Sequence, residues 1–168
     1  MKTAVEFAMV CIVCLVSAAA RADDPTDDKS RLQGVWALSS GETNGRKLGE
    51  VLRKKGLSDL RIKFSGDLMT MTGFGTPDYT YQFTLQPMDQ PKGMRLVTVE
   101  THGKAPKGSI LHCIYEMKGE ELRLCLPSDS TVERPKKFEA PSGSRLSLLV
   151  LNRQTDNDNS RSEPADAR

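Results

Sequence analysis

The fold is decided by one stretch, Ile110-Leu-His-Cys-Ile-Tyr-Glu-Met-Lys-Gly-Glu-Glu-Leu-Arg-Leu-Cys-Leu126. A two-residue turn at Gly119 and Glu120 makes it a β-hairpin. Met117 then faces Leu122, Tyr115 faces Leu124 and Cys113 faces Leu126. One side of the hairpin becomes uniformly apolar, as a core-facing side requires. In this register Cys113 points inward and Cys125 outward. Residues on opposite faces cannot meet disulfide geometry, so the register predicts two free thiols. A three-residue loop would instead pair Cys113 with Cys125 and set Arg123 opposite Tyr115 on the same face. A thiol count on denatured, unreduced protein separates the two registers.

The same period-two punctuation extends outward from the hairpin. Leu32 to Ser40 places Gly34, Trp36 and Leu38 on one face. Leu60-Arg-Ile-Lys-Phe64 alternates apolar with basic, the mark of a half-buried strand. Ser65-Gly66-Asp67 turns, and Leu68 to Thr72 returns. Tyr79-Thr-Tyr-Gln-Phe-Thr-Leu85 alternates again, and after a loop from Pro87 through Gly93 come Met94 to Thr101 and, beyond the hairpin, Leu146 to Leu151. About eight short strands with turns between them predict a mainly all-β domain, an antiparallel barrel or sandwich. One segment differs. Lys47 to Lys55 has Leu48, Val51 and Leu52 at helical spacing and Gly56 placed to end a helix. A short helix is expected after the first strand, either over an open barrel end or as a surface turn.

The flanks bound this domain. Lys2 precedes an uncharged run from Phe7 to Ala20, and Ala20-Arg21-Ala22 supplies small residues at a cleavage site. This is the pattern of a cleaved signal peptide over residues 1–22, too short in its apolar run for a membrane anchor, and it predicts export to the periplasm or cell exterior. Its Cys11 and Cys14 leave with it. Residues 23–30 are polar and read as a flexible leader. Residues 154–168 contain no large apolar side chain and read as a disordered tail. The folded domain is therefore expected at 31–153, with no stable membrane insertion after cleavage. Removing Lys2, Glu6 and Arg21 lowers the formal charge from +2 to about +1, so no strong field calls for nucleic acid.

Catalytic and metal chemistry find little support. The two histidines, His102 and His112, have no Ser or Asp at a nucleophile spacing. No C-x-x-C or H-x-x-x-H pair survives outside the signal peptide, so no metal ligands are predicted. Asp156-Asn-Asp158-Asn-Ser160 starts like a calcium loop but has Arg161 where Gly is needed and Ala167 where Glu is needed. Gly73-Phe-Gly75 is too short for a phosphate cradle and leads into Thr-Pro. No catalytic residue, cofactor or enzymatic activity is expected.

Leu32-Gln-Gly34-Val-Trp36 is similar to the Gly-x-Trp opening of lipocalin-like barrels. Ile114-Tyr115 through Gly119, Leu122 and Cys125, then Arg134-Pro135-Lys-Lys-Phe138, then the terminal Leu151-Asn-Arg153 follow in order. Together they resemble a planctomycete family of small exported lipocalin-like domains without assigned function, over about residues 31–153. The chain departs from that family at Cys113, where a small residue is usual. The resemblance implies a barrel of about eight antiparallel strands. It also implies that Arg153 lies across Trp36 at the barrel's closed end as a structural cation–π pair.

A candidate interior remains. Tyr79, Tyr81, Phe83 and Leu85 share one strand face, and Ile62, Phe64, Tyr115 and Leu124 could face them. Eight-stranded barrels are filled by side chains or hold one small ligand. Phe64, Tyr79, Tyr81, Phe83 and Tyr115 are therefore the candidate contacts for a small apolar or amphipathic ligand in a monomeric barrel. The alternative is a filled core serving as a protein–protein interaction module of the cell envelope.

Overall fold

A computed structural model describes residues 25–155, except 58, 75, 76 and 102–104. The signal peptide expected at 1–22, the tail from 156 onward and His102 lie outside the described residues. In chain order the elements are α1 (Pro25–Leu32), β1 (Gly34–Thr43), β2 (Arg46–Lys47), α2 (Leu48–Lys54), β3 (Arg61–Ser65), β4 (Leu68–Thr72), β5 (Tyr79–Gln86), β6 (Gly93–Thr98), β7 (Ile110–Lys118), β8 (Glu121–Pro127) and β9 (Leu146–Arg153). From β3 to β9 each strand pairs antiparallel with the next. β1 pairs with both β3 and β9, which closes an eight-stranded antiparallel barrel. Closure leaves no long exposed sheet edge. The short β2 folds back on the end of β1 through Asn44 and Gly45, both at positive φ, the turn an Asn-Gly pair favours.

Alternation delivers the interior as expected. The hairpin register is Met117 with Leu122 and Tyr115 with Leu124, so the loop is the two-residue one. Inward positions of successive strands meet in the core: Trp36 beside Ile62, Ile62 beside Met71, Phe83 beside Leu96, Met94 beside Cys113, and Leu122 beside Leu151. All of these are buried. Both cysteines are free thiols. Cys125 does face outward, but it is not in water. It and its register partner Ile114 are buried on the barrel's outer wall. The chain between β8 and β9 covers them: the Cys125 thiol lies 3.6 Å from the Glu139 carbonyl, and Arg123 stacks 4.8 Å over the Phe138 ring.

The flexible leader is a correction. From Pro25 on, that segment forms α1, whose side chains dock on the barrel. Asp28 is 1% exposed and accepts hydrogen bonds from the Tyr115 hydroxyl at 2.7 Å and from Lys92 Nζ at 3.0 Å. Lys29 pairs with Asp67, and the Gln33 side chain accepts from the Gly66 amide at 2.8 Å. Leu32 is fully buried. Tertiary partners, not apolar content, order this polar helix. The tail is also tied at its start, where the Gln154 amide donates to the Val35 carbonyl.

Candidate functional site

The two ends of the barrel are built differently. At one end α1 forms a plug. The Arg153 guanidinium lies 4.2 Å above the Trp36 ring. It donates to the Gln33 carbonyl at 2.7 Å and to the Arg31 carbonyl, and it meets Glu120 at 2.7 Å. The Trp36 indole N–H donates to the Leu32 carbonyl at 2.8 Å. Carbonyls at a helix C-terminus lack intrahelical partners, and a cation there also complements the helix dipole. Gly34 makes the arrangement possible: a Cβ at this position, at φ +108°, would stand 3.3 Å from Arg153 Nη1. The Gly-x-Trp spacing is thus a seat for the arginine.

The five candidate ligand contacts divide between the ends. Phe64 and Phe83 meet edge to face, with centroids 5.2 Å apart, and both are buried. Tyr115 is 1% exposed, and its hydroxyl serves Asp28 of the plug. These three belong to the packed core of the plugged half. Tyr79 and Tyr81 face inward by register, beside Met71 and Met69, yet stay half-buried toward the opposite end. Phe74 meets the Tyr79 ring at 6.3 Å. Burial, with Tyr79 and Cys113 nearby, pushes the Tyr81 phenol up to about 12. Burial likewise raises the Cys113 thiol, and it takes Cys125 up to about 11. Neither cysteine is a thiolate nucleophile at neutral pH. His112 is exposed on the outer wall, and among the described residues no group of three or more His, Cys, Asp or Glu could hold a metal ion.

A further concavity is one that the sequence does not announce. β1 follows β3 only as far as Ala37, after which the Leu38 amide bonds the Leu60 carbonyl and a bulge at Ser39 re-aims the strand. Beyond the bulge β1 keeps β9 on one side, and α2 takes the place of β3 on the other. Leu48 and Leu52 hold α2 down. The Gly56 amide bonds the Arg53 carbonyl and the Leu57 amide bonds the Leu52 carbonyl, with Gly56 at φ +69°, which is a Schellman cap. Between α2, the bulge and β9 runs a groove of about 760 Å³. Its apolar lining is Leu38, Leu52, Leu57, Leu60, Leu148 and Val150, and Glu42, Lys47, Glu50, Arg53 and Asp59 stand around it. The helix and its glycine stop are legible in the sequence. The bulge is not, because nothing in Leu38-Ser-Ser-Gly41 departs from an ordinary strand.

Compared with known families, curated proteins and solved structures, the chain matches none of them.

Proposed function

We propose that this chain is an exported lipocalin-like binding protein that takes a small amphipathic ligand at the α2 end of its barrel. One observation carries the reading: the plugged half is filled by side chains, whereas the α2 end holds a groove of about 760 Å³ with an apolar lining and a polar rim. Small-ligand sites usually fall at ~300–1,000 Å³ with this division of polarity. The barrel alone is only an analogy, since one fold hosts many functions. Export is supported by the sequence of residues 1–22, and cleavage after Ala22 would leave all of α1 on the mature chain. A second reading, an envelope interaction module, is favoured by Met88, 82% exposed in the loop between β5 and β6 at the plugged end.

Native mass spectrometry of the protein purified from its own cells separates the readings. A small-molecule adduct on a chain beginning at Asp23 is expected, and a stoichiometric protein partner in its place would favour the second. Nile red, a neutral fluorescent probe, then locates the site. Its binding should be lost in Leu57→Trp, which fills the groove. Unchanged binding in that variant would remove the groove from consideration.

A further inference from the structure

We infer that the occupant of this groove is a monomeric anionic amphiphile, a carboxylate or phosphate monoester on a single apolar chain; this rests on the groove being the binding site. The distribution of unpaired charge carries the inference. Elsewhere on the barrel Arg31, Arg61, Arg123, Arg134, Arg145 and Arg153 each hold a carboxylate, and the cations there that meet none among the described residues, Lys63, Arg95, Lys107, Lys136 and Lys137, do not line the groove. Around α2, Arg46, Lys47, Arg53, Lys54 and Lys55 crowd into ten consecutive residues, all exposed, and pair with no carboxylate among the described residues. Among the described residues Glu50 bonds neither Arg53 nor Lys54, Glu42 is also unpaired, and Asp59 is held by Arg61. The groove's own rim is therefore balanced, Lys47 and Arg53 against Glu42 and Glu50, and the cationic excess comes from Arg46, Lys54 and Lys55 of the adjoining hollow.

The placement of these cations suits a headgroup. Arg53 and Lys47 border the groove itself. Lys47 also borders an adjoining hollow with Arg46, Lys54 and Lys55. An apolar tail lying along Leu57, Leu60 and Val150 would bring its charged end to this rim. A guanidinium there offers a fork of donors to a carboxylate or phosphate, and clustered like charges at a low-dielectric mouth concentrate a counter-charged ligand. A bilayer surface fits less well. The outer face of α2 offers only the half-buried Val51 between its cations, too little apolar surface to insert. The concave groove, not a convex helix face, is what can cover a tail.

The test displaces Nile red from the full mature chain at pH 8 and low salt with three ten-carbon competitors: decanoate, 1-decanol and decyltrimethylammonium. Decanoate is expected to displace at a concentration about tenfold below that of decanol, with the cation weakest. The double substitution Lys47→Gln, Arg53→Gln should bring decanoate within about twofold of decanol, and added salt should narrow the gap in wild type. Fluorescence of Trp36 at the distant plugged end reports that the variant is folded. Equal displacement by decanoate and decanol in wild type overturns the anion inference and leaves the groove standing. A preference that survives the double substitution, or sedimentation with phosphatidylglycerol vesicles without any preference for decanoate, overturns it as well. Absence of Nile red binding together with absence of decanoate heat by calorimetry defeats the groove itself.

Discussion

Replacing Arg153 with Met removes the charge and keeps much of the length, and the structure lets its cost be worked out part by part. The cation over the Trp36 ring at 4.2 Å contributes ~0.5–2 kcal/mol. Hydrogen bonds to the Arg31 and Gln33 carbonyls involve a charged donor, worth ~1.5–3 kcal/mol each before shared losses are counted. The ion pair with Glu120 adds little, about 0–0.5 kcal/mol, because that carboxylate is 73% exposed. These terms act on one side chain and are not additive. The expected loss is about 2–4 kcal/mol, with most of it in the coupling between the α1 carbonyls and the barrel. Trp36 is the sole tryptophan, so urea denaturation followed by its fluorescence reads the plugged end directly. Glu120→Gln serves as the control and should cost less than ~0.5 kcal/mol. A loss below about 0.5 kcal/mol for Arg153→Met, or one no larger than the control, would refute the view that this arginine ties the helix to the barrel.

Three further outcomes follow from the same geometry. Tyr115→Phe strips one donor from the buried Asp28 carboxylate and should cost ~1–3 kcal/mol in the same denaturation assay; no change would mean that Lys92 and Arg31 suffice to satisfy it. Gly56→Ala puts a Cβ on a residue at φ +69° in the Schellman cap and should cost about 1 kcal/mol, with faster amide exchange confined to α2 as the check. Cys125 and Tyr81 titrate at about 11 and about 12 when folded, above the ordinary values of 9.0 and 10.0, so the folded state holds protons that the unfolded chain releases. The contribution of these two groups should therefore be constant up to about pH 9 and fall as pH rises through those values, while a thiol reagent counts two thiols in denaturant and none in the native protein at pH 8 for the chain without residues 1–22.

What the sequence disclosed and what it hid have distinct physical causes. The β7–β8 register was legible because alternation and a Gly-containing turn are local, and a slip of one residue would have put Tyr115 and Leu124 in water. The α2 helix and its stop were legible for the same reason. The helix α1 was hidden because its anchor spans the chain: Asp28 bonds Tyr115 and Lys92, 87 and 64 residues away, and a polar octapeptide gives no sign of such partners. Of the candidate ligand contacts, alternation puts Phe64, Phe83 and Tyr115 on the inner face, but face does not reveal depth. The plug that seals their half of the barrel was itself unread. The groove was missed because it depends on the Ser39 bulge, and on Leu148 and Val150, outward residues of β9 that a core-centred reading discards.

The two ends also differ in how firmly they are held, and one strand governs both. On β1, Gly34 lies on one side of Trp36 and makes room for Arg153; Gly41 lies on the other and makes room for α2. A Cβ at Gly41 would sit 2.6 Å from the Leu148 carbonyl oxygen and 3.3 Å from Leu48 Cδ2. At the plugged end, ion pairs, a stacked cation and a buried carboxylate fix a helix against the barrel. At the other end α2 buries only Leu48 and Leu52, and Lys47 caps the helix with no side-chain bond. α2 is thus held to the barrel by two buried leucines and no charged side chain, where α1 is held by several. The plugged end would have to break its polar network to admit an occupant, whereas no side-chain hydrogen bond or ion pair among the described residues ties α2 down.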